Sequence, residues 1–155
     1  MLPVLFKIGP FTLHSWGLLL LVAFLAATFR AVKRAPRYGI APDAIWDCSL
    51  IGLLGGIVGG RLAFVAQQAS YFASHPGEIL AIWTGGMTSF GGLIGGVAAG
   101  VWAAKRRGLK VGDVADLTAV SLPIGYAIGR IGCFLNGCCH GSKCSLPWAV
   151  EFKHD

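Results

Sequence analysis

Four long apolar runs set the pattern of this chain, at about residues 11–29, 44–66, 86–104 and 114–134, and short polar or basic segments separate them. Each run approaches the roughly 20 residues that a helix needs to cross a hydrocarbon core. The pattern predicts an all-α integral membrane protein with about four transmembrane helices in a single domain. The runs are not uniform leucine stretches. Gly52, Gly55, Gly56, Gly59 and Gly60 lie in the second, and Gly85, Gly86, Gly91, Gly92, Gly95, Gly96 and Gly100 in or beside the third. Small residues at such spacing let helix backbones approach closely in a bilayer. Pro123 removes one hydrogen bond from the fourth run and predicts a kink.

Charge fixes the orientation. Charged residues make up 13% of the 155, about half the share usual in globular proteins. Eight of the thirteen basic residues fall in two short loops, Arg30 to Arg37 and Lys105 to Lys110. That distribution argues against a nucleic-acid-binding stripe and marks both loops as cytoplasmic. The segment from Gln67 to Thr84 contains no lysine or arginine, which places it outside together with the N-terminus. A cleaved signal peptide does not fit, because the first basic cluster follows the apolar run instead of preceding it. Asp47 and Asp116 fall near inner helix ends, as interfacial caps. Arg61 and Arg130 fall near the outer ends of helices that run in the same direction.

The chemistry concentrates in Gly129-Arg130-Ile131-Gly132-Cys133-Phe134-Leu135-Asn136-Gly137-Cys138-Cys139-His140-Gly141. A guanidinium at the end of an apolar run must reach the interface or meet a counter-ion. Two arginines at one depth suit a phosphate, whose oxygens accept guanidinium forks in pairs; two independent headgroup anchors would look the same in sequence. Cys133, Cys138, Cys139 and Cys144 with His140 could ligate a soft metal, but the spacing lacks paired C-x-x-C knuckles, so no metal or other cofactor is assigned. A disulfide joining Cys144 to Cys133 or Cys138 is compatible with an oxidising face. Cys48 reads as a small packing residue.

The same stretch resembles the signature of the prolipoprotein diacylglyceryl transferases, approximately Gly-Arg-Ile-Gly-Asn-Phe-Ile-Asn-Gly-Glu followed by a glycine. Gly129, Arg130, Ile131, Gly132, Phe134, Asn136, Gly137 and Gly141 match, while Cys133 and Cys138 replace the asparagine and the glutamate. The likeness extends in order to Leu146-Pro147-Trp148-Ala149-Val150, Trp83-Thr84-Gly85-Gly86-Met87, Gly91-Gly92-Leu93, Gly59-Gly60-Arg61 and Trp16-Gly17. It implies part of a larger helical bundle in the bacterial inner membrane, with the signature at the outer face. The implied reaction moves the diacylglyceryl group of phosphatidylglycerol to the lipobox cysteine thiol of a prolipoprotein. In that reading Arg130 stabilises the phosphate, Asn136 supports it, and His140 takes the thiol proton. Arg61 and Trp16 contact substrate, Gly91 and Gly92 clear room for an acyl chain, and Gly129, Gly132, Gly137 and Gly141 let backbone and headgroup approach.

Three departures stand beside the likeness. Phe90 occupies a position where the family carries a histidine or tyrosine, and Trp16 one where it carries a tyrosine. A further arginine that the family supplies from its C-terminal part is missing, which reads as a truncated chain. Two other functions fit parts of the pattern: a membrane thiol–disulfide oxidoreductase using Cys133 and Cys138, and a non-catalytic module binding anionic lipid or a soft metal. His14, His75 and His154 are peripheral to all three.

Overall fold

The computed structural model describes residues 4–8 and 11–137, and beyond them Ser142, Ser145, Pro147 and Ala149. His140, Gly141, Cys138, Cys139 and Cys144 lie outside the described residues. The chain opens with an antiparallel hairpin of β1 (Val4–Ile8) and β2 (Phe11–His14), with Ile8 opposite Phe11 and Val4 opposite His14. Long helices α1 (Ser15–Arg34), α2 (Pro42–Gln67), α4 (Ser89–Arg106) and α5 (Val111–Asn136) follow, with the short α3 (Ala69–Ser74) after α2. All membrane-spanning candidates are helical, as the apolar runs predict. Three stretches are long and apolar enough to cross a membrane: Trp16–Tyr38, Pro42–Gln67 and Val111–Asn136.

Helix limits depart from the runs for local reasons. Residues 11–14 pair as a strand, so α1 starts later than residue 11. It extends to Arg34 because Lys33 and Arg34 suit the negative end of the helix dipole. A 3₁₀ turn over Ala35–Tyr38 then stops at Gly39, whose φ of +66° suits glycine. Pro42 occupies the first turn of α2, where its missing N–H costs nothing. Gly85 and Gly86, read in sequence as part of the third helix, adopt φ of +86° and +77° and form the turn before it. α4 therefore starts only at Ser89, capped by the Thr88 hydroxyl, which accepts from the Gly91 N–H at 3.3 Å. α5 runs through Pro123.

The chain packs as two compact units, Val32–Leu117 and the segments on either side of it. In the Val32–Leu117 unit, α2 and α4 lie antiparallel along their glycines. A Cβ on Gly52 would stand 3.6 Å from the Gly96 carbonyl, and one on Gly56 would stand 3.4 Å from that of Gly92. Beyond the glycines, Cys48 of α2 is buried against Ala103 and Ala104 of α4, with Ile51, Leu109, Val111 and Val114 around them. This is the packing role expected of Cys48. In the other unit α5 lies against α1. A Cβ on Gly125 would meet the Ala23 carbonyl at 3.2 Å, and one on Gly132 would meet the Leu19 Cβ at 3.3 Å.

Candidate lipid-headgroup site

The last two turns of α5 carry the densest group of candidate residues. Arg130 is exposed, and its guanidinium stands 6.0 Å from the ring of Tyr126, one turn earlier. Among the described residues no carboxylate pairs with it and no hydrogen bond engages it. Among the described residues nothing lies within 4 Å of a Cβ placed on Gly129 beside it. Gly132 faces α1, and a Cβ there would stand 3.7 Å from Cδ1 of Trp16. The fold thus brings together Trp16 and Gly132, which lie far apart in sequence. Asn136 closes the helix half-buried, and Gly137 ends it at φ +74°, donating its N–H to the Phe134 carbonyl at 3.2 Å. The tight turn expected of Gly137 is present. A left-handed residue after the last helical one satisfies a terminal carbonyl at little steric cost when it is glycine.

Arg61 has a different environment. Its side chain is buried at 6% exposure. Nε donates to the Ile79 carbonyl at 2.9 Å, and Nη2 to that of Glu78 at 2.6 Å. Nη1 donates to the carbonyls of Gly85 at 2.6 Å and Gly86 at 2.9 Å. The rings of Phe64 and Phe72 flank the guanidinium at 5.6 and 5.4 Å. A guanidinium has five N–H donors, and four hydrogen bonds to backbone leave little with which to hold a headgroup. In this arrangement Arg61 clamps the following loop. The sequence offered one hint, the pair Gly85-Gly86, whose carbonyls both turn toward it.

Gly91 and Gly92 are likewise occupied. A Cβ on Gly91 would stand 2.5 Å from the Gly59 carbonyl, and one on Gly92 would stand 3.4 Å from that of Gly56. α2 fills the space in which the sequence reading placed an acyl chain. Phe90, between the loop and these glycines, is 79% exposed.

Three smaller features complete the polar inventory. Asp47 forms an ion pair with Arg107, so it bridges α2 to the end of α4 instead of capping. Beside this pair, Ile51, Trp102, Ala103 and Arg106 line a shallow cavity of about 360 Å³. At the far end of α2, Tyr71 donates its hydroxyl proton to the Glu78 carboxylate at 3.0 Å, and His75 stacks on the Tyr71 ring at 4.7 Å. The bond to Glu78 and its negative charge raise the Tyr71 phenol above its ordinary range. Cys133 is a free, half-buried thiol. No group of three or more metal-ligating side chains occurs among the described residues.

Apolar spans and close glycine packing define a polytopic membrane protein, and among the described residues the arginine near the end of α5 has no charged partner. Comparison with known proteins makes the class specific. The family described as prolipoprotein diacylglyceryl transferase matches residues 3–155. The chain belongs to that family. It is 36% identical over 153 residues to the phosphatidylglycerol–prolipoprotein diacylglyceryl transferase of Geobacter sulfurreducens, covering 97% of this chain and 59% of that one. The transferase of the same name from Vibrio vulnificus is 38% identical, covering 97% and 56%. That of Paracidovorax citrulli is 39% identical over 162 residues, covering 97% and 60%. The chain thus spans little more than half the length of these relatives.

Proposed function

We propose that this chain forms the phosphate-holding part of an enzyme that transfers the diacylglyceryl group of phosphatidylglycerol to the lipobox cysteine of prolipoproteins. The site would face the outer side of the bacterial inner membrane. The observation that carries the reading is Arg130, exposed and without an ion pair among the described residues, inside the stretch that resembles the family signature and within the residues that the family matches. The reaction forms a bond between the substrate sulfur and the glyceryl carbon, and breaks that carbon's bond to the phosphate ester oxygen. The thiol must first lose its proton, since the thiolate is the nucleophile. The departing phosphate gains charge, and a preorganised guanidinium stabilises that gain more in the transition state than in the ground state. Arg130 takes this role, with Asn136 as a supporting donor and Trp16 bordering the site. Gly129 keeps its approach low, Gly132 lets α1 and Trp16 come close, and Gly137 lets the chain turn away from it. Phe90 cannot accept a proton, so His140 is assigned that step. Arg61, Gly91 and Gly92 support the scaffold.

The test reconstitutes the complete gene product with phosphatidylglycerol and a lipobox peptide, and reads the peptide mass. Diacylglyceryl-modified peptide is expected. A charge-assisted hydrogen bond contributes about 1.5–3 kcal/mol, so Arg130→Lys, which lacks the bidentate fork, should lower transfer roughly ten- to hundredfold at unchanged membrane abundance. Near-normal transfer by that variant would leave Arg130 as an interfacial anchor, since lysine snorkels equally well.

A further inference from the structure

We infer that residues 76–88 form a re-entrant turn, held by Arg61 at the boundary between headgroups and acyl chains, and that it presents Leu80 and Trp83 to phospholipid. The inference begins with depth. α2 has 26 residues and rises about 39 Å, against a hydrocarbon core of about 30 Å. Arg61 lies six residues before the last residue of α2, Gln67, so it sits about 9 Å below that end, near the hydrocarbon edge. The loop comes down to that level. The carbonyls of Glu78, Ile79, Gly85 and Gly86 all accept from the Arg61 guanidinium. Thr88 then donates its N–H to the Gly60 carbonyl at 3.1 Å. The chain climbs to Gln67, turns through α3, and descends beside α2 before α4 begins.

Irregular backbone at this depth leaves carbonyls that water cannot reach, each of which is costly unless another group satisfies it. Arg61 supplies four of the missing donors from one planar group. This accounts for a buried cation that has no carboxylate partner among the described residues. It also accounts for the length of α4, whose 18 residues rise only about 27 Å. Between its two clamped ends the turn projects outward. Leu80 is 80% exposed and Trp83 81% exposed, and no lysine or arginine lies between Gln67 and Thr84. An exposed leucine and indole on a clamped turn at this depth match the interfacial bilayer, where amphipathic rings concentrate. The inference does not depend on which face of the membrane the turn occupies, or on the transfer reaction.

The experiment places the chain in vesicles of phosphatidylcholine and phosphatidylglycerol whose acyl chains are brominated close to the headgroup. The Trp83 signal is the difference in fluorescence between wild type and Trp83→Phe. Bromolipid should quench that difference more strongly than aqueous iodide does. Stronger quenching by iodide would place the turn in water, and quenching by neither would mean that protein covers it; both overturn the inference. A second arm follows amide hydrogen exchange over residues 79–86 in Arg61→Lys. A lysine ammonium cannot reach four carbonyls, so exchange there should rise about tenfold or more. Unchanged exchange in a folded variant would remove Arg61 as the clamp. Should that variant fail to accumulate, the quenching measurement still decides the case on wild-type protein.

Discussion

At the scale of single residues, two arginines that look alike in sequence have different surroundings. Both follow glycine near the end of an apolar run, and sequence alone gave both to the headgroup. The difference lies in what the next loop offers. Gly85 and Gly86 turn their carbonyls onto Arg61, whereas the described residues put nothing comparable on Arg130. The charged pair at the other end of α2 carries less. The Asp47–Arg107 pair leaves its side chains 37% and 51% exposed. An ion pair that accessible contributes at most about 1 kcal/mol, so Asp47→Asn should change thermal stability in detergent only slightly. A large loss would show that the pair is better shielded in the membrane than its exposure indicates. Tyr71 gives a pH-dependent counterpart. Its phenol is raised by Glu78, so its hydrogen bond is fully present below the ordinary tyrosine range and is lost as pH climbs through the raised one. Phenolate absorbance should show one tyrosine titrating later than free tyrosine, and Glu78→Gln should bring it back.

At the scale of elements, α2 and α4 meet through backbone. A Cβ on Gly59 would come within 2.8 Å of the Gly95 Cα, and one on Gly95 within 2.8 Å of the Gly59 Cα. Neither neighbour is a flexible side chain that could move aside. Gly59→Ala or Gly95→Ala should therefore separate the helices, at about 1–3 kcal/mol. Gly100 lies on the same helix, and no described residue comes within 4 Å of such a Cβ. Gly100→Ala should be neutral, or stabilising by up to about 1 kcal/mol, because alanine is the better helix former. Thermal unfolding in detergent separates these outcomes, and equal destabilisation at all three positions would refute glycine-specific contact. The small-residue faces were legible from spacing alone. What each glycine does was not, because helical position, turn conformation and groove all read as glycine. Gly85 and Gly86 belong to the turn, and Gly91 and Gly92 to the seam. The pairing of Val4–Ile8 with Phe11–His14 was also hidden, since the second strand continues directly into the apolar run of α1.

At the scale of the whole molecule, hydropathy revealed the helices and basic loops suggested their direction, but neither settles whether α4 crosses. Its 18 residues are fewer than a span usually needs, and it is absent from the three stretches that qualify by length and composition. Packing supplies the missing argument. Its first residues lie beside Gly60, near the far end of α2, where Thr88 donates to the Gly60 carbonyl. Its last turn lies at the opposite end, where Arg107 pairs with Asp47, five residues after Pro42. α4 therefore runs along nearly the same depth as α2, and if α2 crosses, α4 crosses with it. The re-entrant turn makes up the length that the helix lacks. Reporter fusions at Arg37, His75 and Gly108 test this. Arg37 and Gly108 flank the pair on one side and should report the same compartment, the cytoplasm by the eight basic residues of the two loops. His75 should report the opposite one. A Gly108 fusion that sided with His75 would mean that α4 does not cross, and would contradict the antiparallel seam as a membrane-spanning pair.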